Sequence, residues 1–169
     1  DLVPGFRDNI HSMMPSLYQH TCSPGRIGGF YERLKSGTWA GHVVEHVALE
    51  LQCLMGHEVS FGKTYTMEEE GIYKLVFRYI DEDTGLRAGE MAVRIVDRLF
   101  KGIVTNVEPL LRELRKIADS SMLGPSTSSI VNEAQRRGIE YIRLNDNNYV
   151  QLGQGVNQRR IEATMTDDT

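Results

Sequence analysis

A packed helix that carries two histidines and a glutamate is the strongest constraint that this sequence places on the fold. Apolar residues recur with a helical period between Gly37 and Gly56, and the stretch His42-Val-Val-Glu-His46 lies inside this segment. At about 3.6 residues per turn, positions 42, 45 and 46 are neighbours on one helical surface. The sequence therefore predicts a helix that packs against the rest of the fold and presents two imidazoles and a carboxylate together.

The His-x-x-Glu-His order is the inverted form of the His-Glu-x-x-His zinc signature. In such sites two histidines bind the ion and the glutamate moves a proton. We therefore assign His42 and His46 as metal ligands and Glu45 as the catalytic base of a zinc-dependent hydrolase. The alternative is that both histidines are structural residues with ordinary hydrogen bonds, because a five-residue pattern can arise by chance.

A catalytic zinc site needs a third protein ligand, often a carboxylate from another part of the fold, and an open fourth position. The stretch 71–80 alternates as a strand and leads into a helix. The inward residues of this helix are expected to be Leu86, Gly89, Val93, Val96 and Phe100. One turn earlier this line reaches Glu82, which we predict as the third ligand, with Glu90 and Glu50 as alternatives. The competing interpretation of Glu82 is a favourable acidic residue at a helix N-terminus.

Composition narrows the class of protein. The chain has 169 residues, of which 40% are hydrophobic and 25% charged, enough for one ordinary domain or one domain and a fragment. No apolar run approaches the roughly 18 residues of a membrane span, and a net charge of −4 gives no electrostatic reason to expect nucleic acid. The two cysteines, Cys22 and Cys53, suggest no disulfide framework, so a reducing cytoplasm is the expected setting.

Two parts are expected along the chain. Residues 1–119 hold the continuous apolar patterns, and a stretch rich in Ser, Gly and Pro follows them. We predict a first domain at 1–119, a linker at 120–123 and a second part at 124–169. Because the second part is short of apolar core, we expect it to belong to a larger domain. Because the chain starts at Asp1, we also expect an upstream piece to be missing.

The predicted fold class is α+β, with a small sheet and packed helices, one of which carries the His-x-x-Glu-His motif. The stretches 58–65 and 71–80 are expected to pair as a hairpin. Two helices are expected next, at about 84–101 and 106–119. The second part is expected to contain a helix at 127–137. Short strands are expected after it, at 139–144, 148–152 and 156–164.

Eight short segments stand out in order along the chain. They are Cys22-Ser-Pro-Gly25, Gly28-Gly-Phe30, Gly37-Thr-Trp39, Gly41–Gln52, Gly124-Pro-Ser-Thr127, Val150-Gln-Leu-Gly153, Gln158-Arg-Arg-Ile161 and Ala163-Thr-Met-Thr166. Together they resemble cyanophycin synthetase. That family has an N-terminal domain, an ATP-grasp ligase domain that adds aspartate and a Mur-ligase-like domain that adds arginine. The resemblance implies an N-terminal domain without its first strands, followed from about Gly124 by the incomplete start of the ATP-grasp domain.

The resemblance also implies an activity and partners. The parent would be an ATP-dependent ligase that polymerises aspartate and arginine into cyanophycin, with ATP and magnesium bound only in parts that this chain lacks. Its partners would be the polymer, the other domains of the parent and further copies in a homo-oligomer. In some members the N-terminal domain cuts the polymer into primers, and the motif of that activity matches His42, Glu45 and His46, with Glu82 as the acidic residue. The alternative is a non-catalytic module for polymer docking and assembly.

A groove for this polymer needs both signs of charge, because the polymer has a polyaspartate main chain bearing arginines. Arg33 and Arg94 are the candidate residues for binding its carboxylates. The candidate partners for its guanidinium groups are Glu68, Glu69, Glu70 and Asp83. The alternative for each is an ordinary surface charge.

Overall fold

The fold is α+β, as predicted, with six α-helices and two small antiparallel sheets in the part of the chain that the structure describes. This computed structural model describes residues 3–145, 147–162 and 165–166. It divides into two compact units, residues 1–118 and 119–169. No helix within the described ranges is both long enough and apolar enough to span a membrane.

The first unit consists of helices around one hairpin. Its elements are α1 (Phe6–Met13), a 3₁₀ helix (Pro15–Gln19), α2 (Gly29–Ser36), α3 (Ala40–Leu54), β1 (Gly62–Thr66), β2 (Tyr73–Phe77), α4 (Glu82–Phe100) and most of α5 (Glu108–Ser121). Helix α3 is the motif helix, and it packs against α4 on one side and against both strands on another. Burial from several sides explains why α3 is apolar around most of its circumference.

The hairpin expected between 58–65 and 71–80 is confirmed. Strands β1 and β2 pair antiparallel, with Gly62 opposite Phe77 and Thr66 opposite Tyr73. The alternation predicted for the second strand is also present, since Tyr73, Leu75 and Phe77 are half-buried while the residues between them are exposed. This arrangement lays one face of the hairpin on α3, beside the motif.

Helix α4 begins close to where the sequence predicts, but the buried face that we expected for it is only partly correct. Val96 is buried, as expected, at 2% exposure. Leu86 and Val93 are 65% and 53% exposed. The buried residues are Thr84, Gly85, Ala88, Met91, Ala92, Ile95, Val96 and Leu99. The buried face thus includes the small residues Ala88 and Ala92, whereas the sequence analysis placed Leu86 and Val93 there. The buried line continues back to Asp81, which caps the helix by accepting a hydrogen bond from the Thr84 N–H at 2.8 Å.

Helix α5 is fastened to the end of the motif helix. The Arg115 guanidinium donates a hydrogen bond to the Met55 carbonyl at 3.0 Å and a second one to the Leu54 carbonyl. These carbonyls lie at the C-terminus of α3, where no further turn exists to satisfy them. Leu114 and Ala118, on the same helix, are buried in the core of the first unit. The end of α3 is therefore capped by a side chain of α5, a helix that also contributes to the core of the first unit.

The second unit has one helix and a four-stranded antiparallel sheet. Its elements are α6 (Pro125–Arg136), β3 (Tyr141–Arg143), β4 (Tyr149–Leu152), a 3₁₀ turn (Gly155–Asn157), β5 (Arg159–Glu162) and β6 (Met165–Thr166), with the strands in sequence order. The buried core consists of Val131, Val150 and Ile161. Two residues of the linker predicted at 120–123 form the end of α5. Residues 163 and 164, the end of the last predicted strand, lie outside the described residues.

Candidate metal centre

Cys22, His42 and His46 form a cluster that can hold a metal ion. Each residue offers one ligand atom, and these atoms lie within 4.8 Å of one another. The two histidines are one turn apart on α3, whereas Cys22 lies in the loop between the 3₁₀ helix and α2. One sulfur and two imidazole nitrogens form a donor set that suits zinc, and three protein ligands leave a fourth position open.

The loop before α2 brings Cys22 to the cluster. Cys22 has a φ of 50°, in the left-handed region that residues other than glycine adopt rarely. The loop also packs closely on the start of α2, because a Cβ atom on Gly29 would lie 1.8 Å from the Thr21 carbonyl oxygen. The result is that the Cys22 sulfur lies 3.3 Å from Nε2 of His42.

His42 has a defined partner on each ring nitrogen. Its Nδ1 lies 2.8 Å from the Thr38 hydroxyl, while its Nε2 faces the Cys22 sulfur. If the Nδ1–H donates to Thr38, the lone pair on Nε2 is available as a ligand. Burial lowers the pKa of His42, and the positive charge of Arg33 acts in the same direction. Both effects favour the neutral imidazole that metal binding requires.

His46 is the more buried of the two motif histidines, at 6% exposure. Its ring stacks on Phe30 with the centroids 4.2 Å apart. Burial lowers the pKa of His46 to about 3, and charge on His42 and His20 would act in the same direction. His46 is therefore neutral near neutral pH, which is the form that metal binding requires.

Glu45 lies beside the cluster and is held by the hairpin. Its side chain is 5% exposed, and its Oε2 accepts a hydrogen bond from the Thr64 hydroxyl at 2.6 Å. Burial raises the pKa of Glu45, although the hydrogen bond from Thr64 opposes this shift. A carboxylate with a raised pKa is a better proton acceptor near neutral pH, which is what a general base needs.

These residues share an open cavity of about 860 Å³ in the first unit. Cys22, His42, Glu45 and His46 all line it. Trp39 lines it too and is 52% exposed. The cavity is large enough to admit a segment of a chain-like ligand to the cluster.

The structure brings together some of the predicted site residues and leaves others apart. Glu50, an alternative third ligand, is 3% exposed and lines the cavity. Glu82 is exposed on the first turn of α4 and is not among the residues that line the cavity. Glu90 is exposed as well and forms an ion pair with Arg87 at 2.6 Å.

Of the residues predicted to bind the polymer, one lines the cavity and the others do not. Arg33 lines the cavity, whereas Arg94 is exposed on α4 and does not. The four acidic candidates are exposed and lie outside the cavity lining; they are Glu68, Glu69, Glu70 and Asp83.

Sequence reasoning missed Cys22 as a ligand. It lies 20 residues before His42, so no local spacing joins it to the motif. The available signal was chemical, because thiolate is a preferred zinc ligand and Cys22 begins one of the eight segments set out above.

The packed motif helix, the Cys-His-His cluster and the open cavity define an α+β domain with a candidate metal centre. Residues 1–101 match the family model described as the cyanophycin synthase-like N-terminal domain. The chain belongs to this family.

Curated relatives agree with this assignment. The chain is 46% identical to a cyanophycin synthetase of Synechocystis sp. over 97% of its own length and 19% of that protein. It is 46% identical to one of Crocosphaera subtropica, over 98% of the chain and 19% of the relative. The match to one of Geminocystis herdmanii is 42% identical over 100% of the chain and 20% of the relative. The chain thus spans about one fifth of the length of the curated relatives it matches.

Proposed function

We propose that the first unit is a metal-dependent amide hydrolase that cuts cyanophycin into primers for a parent ligase. The observation that carries this proposal is the position of Glu45 on the same cavity wall as Cys22, His42 and His46. The parent would join aspartate and arginine at the expense of ATP. ATP and magnesium would bind outside this chain, and the prediction that residues 124–169 begin an ATP-grasp domain stays a prediction.

The donor set fits zinc. Cys22, His42 and His46 supply three ligand atoms of types that zinc prefers, and the cavity gives access to a fourth position. When bound, zinc would supply Lewis acidity toward a water molecule and toward the carbonyl group of the scissile amide.

Glu45 would carry the proton in this reaction. Its carboxylate would accept a proton from the attacking water and return it to the leaving amine. The Thr64 hydroxyl donates to one carboxylate oxygen, Oε2, and so orients the carboxylate, while the other oxygen, Oε1, would accept the proton. Burial favours this role in two ways. It raises the pKa of the carboxyl group, and it would limit the access of bulk water to the carboxylate that positions the attacking water.

The cavity wall also offers contacts for the polymer. Arg33 and Lys63 line the cavity and can pair with the carboxylates of a polyaspartate main chain. Trp39, half-exposed on the same wall, can bind an arginine side chain of the polymer through its ring face. Nothing in the cavity supports the same role for Arg94, whose assignment stays a sequence-based prediction.

The test is Glu45→Gln in the full-length parent. Glutamine keeps the shape and the contact with Thr64, but it cannot accept a proton from water. We expect the variant to lose polymer cleavage and initiation without added primer, and to keep its metal content and its extension of supplied primers. A variant that retained full cleavage would overturn the hydrolase proposal. Metal-free protein with intact polymer binding would instead support the non-catalytic docking module.

A further inference from the structure

A line of hydrogen-bonded side chains runs from the exposed Ser16 through Glu50 and His20 to the buried His46. The Ser16 hydroxyl donates a hydrogen bond to Oε1 of Glu50. The other carboxylate oxygen, Oε2, lies 2.8 Å from Nε2 of His20. Nδ1 of His20 in turn lies 2.8 Å from Nδ1 of His46. Ser16, Glu50 and His20 all lie outside the His-x-x-Glu-His pattern, and only His46 belongs to it.

The Glu50 carboxylate determines which ring nitrogen is the donor in each hydrogen bond of this line. An ionised Glu50 can only accept hydrogen bonds, so the Nε2 of His20 must be the donor. A neutral His20 then has its lone pair on Nδ1. Two ring nitrogens at 2.8 Å form a hydrogen bond only when one of them carries the proton, so the Nδ1–H of His46 donates. The lone pair of His46 is left on Nε2.

The low solvent exposure of His20 and Glu50 stabilises these hydrogen bonds. The side chains of His20 and Glu50 are 13% and 4% exposed, so water competes little for their hydrogen bonds. A ligand histidine commonly donates its other ring N–H to a carboxylate, which fixes its tautomer and orientation. Here the same task is divided between a carboxylate and an intervening imidazole.

We propose that His20 and Glu50 are positioning residues that hold His46 in the Nδ1–H tautomer and thereby prepare its Nε2 to bind the metal. This inference rests on the metal site of the proposed function. It does not depend on the reaction that the site performs.

The first test is made on the metal-free 169-residue chain. Ring ¹⁵N shifts should show His46 in the Nδ1–H tautomer at neutral pH. In His20→Phe, which keeps a ring but removes both nitrogens, the His46 tautomer should shift toward Nε2–H. His11→Phe is the matched control, because His11 is exposed and lies outside this line. A wild-type His46 in the Nε2–H tautomer would overturn the inference.

The second test uses cobalt(II) alone as the probe. We expect His20→Phe and Glu50→Gln to weaken cobalt binding by about 10- to 100-fold, while His11→Phe binds like the wild type. Glu50→Gln keeps the side-chain shape and serves if His20→Phe does not fold, as judged by circular dichroism. Unchanged affinity in the folded variants would overturn the inference, and so would a wild-type chain that binds no cobalt.

These outcomes separate the positioning role from the hydrolase. Loss of cobalt affinity in His20→Phe, together with full polymer cleavage by Glu45→Gln, would support the positioning role and overturn the proposed reaction. Loss of cleavage in Glu45→Gln with unchanged cobalt affinity in His20→Phe would do the reverse.

Discussion

Gly62 lies so close to Glu45 that the strand has no room for a side chain at this position. A Cβ atom on Gly62 would be 2.5 Å from Cγ of Glu45 and 2.7 Å from its Oε1. The hairpin therefore sets the position of the Glu45 carboxylate from two directions, by contact at Gly62 and by the hydrogen bond from Thr64.

We expect Gly62→Ala to displace Glu45 and to slow polymer cleavage by about 10- to 100-fold, since small misplacements of a reacting group are costly. Cobalt affinity should change little, because the nearest atoms to the added methyl group all belong to Glu45. Thr66→Ala, an exposed position on the same strand, is the control. Cleavage at the wild-type rate in Gly62→Ala would show that the position of Glu45 is not critical.

The identity of the third ligand can be decided by comparing Cys22→Ser with Glu82→Gln. Cys22→Ser should weaken cobalt binding strongly and abolish the sulfur-to-cobalt charge-transfer absorption, because a thiolate ligand is lost. Glu82→Gln should leave both unchanged, since Glu82 is exposed and lies outside the cavity lining. The opposite pattern would favour the assignment made from sequence, with Glu82 as the ligand.

The metal-free protein should lose stability as the pH falls from about 6.5 toward about 3. His46 has a pKa of about 3 in the folded protein, against 6.5 as its ordinary value. In this window the unfolded chain binds a proton that the folded chain excludes, so the free energy of unfolding falls with falling pH. The full contribution, on the order of a few kcal/mol, is present above pH 6.5.

Urea denaturation at several pH values, in the presence of a chelator, measures this effect. His46→Gln has no imidazole at this position and should show a shallower loss of stability between these pH values. Parallel pH profiles for the wild type and His46→Gln would contradict the assignment of the effect to His46.

Arg115→Ala should destabilise the first unit by about 1–2 kcal/mol, because two carbonyls at the end of α3 lose their donor. Arg112→Ala is a matched control on the same helix, since Arg112 forms an exposed ion pair with Glu108 at 3.9 Å. Chemical denaturation measures both variants. Equal stabilities would mean that water replaces the guanidinium at these carbonyls without cost.

The sequence was most informative where local periodicity determines structure. The motif helix and the hairpin were predictable because their apolar residues repeat with the period of the element. The buried face of α4 was not, because the small Ala88 and Ala92 are buried while the larger Leu86 and Val93 face solvent. Glu82 was selected by extending the expected face back by one turn from Leu86, which is in fact exposed.

The remaining parts of the site depend on contacts that no local pattern encodes. Cys22 reaches the cluster through a loop with left-handed backbone at the cysteine itself. His20 and Glu50 are 30 residues apart and meet only after the loop has folded against α3. Chemical types could nominate these residues, but only the tertiary structure pairs them.

The hydrogen bonds from Arg115 of α5 to the end of α3 determine where the domain boundary must be placed in a recombinant fragment. The match to the family model ends at residue 101, yet Leu114 and Arg115 lie beyond it. Leu114 is buried in the core of the first unit, and Arg115 donates hydrogen bonds to two carbonyls at the end of α3. A recombinant fragment that ends at residue 101 would expose apolar core residues and leave two carbonyls at the end of the motif helix without their donor. The segment that the family model matches therefore lacks α5, although α5 contributes to the core and caps α3. A chimera built from this domain must include α5.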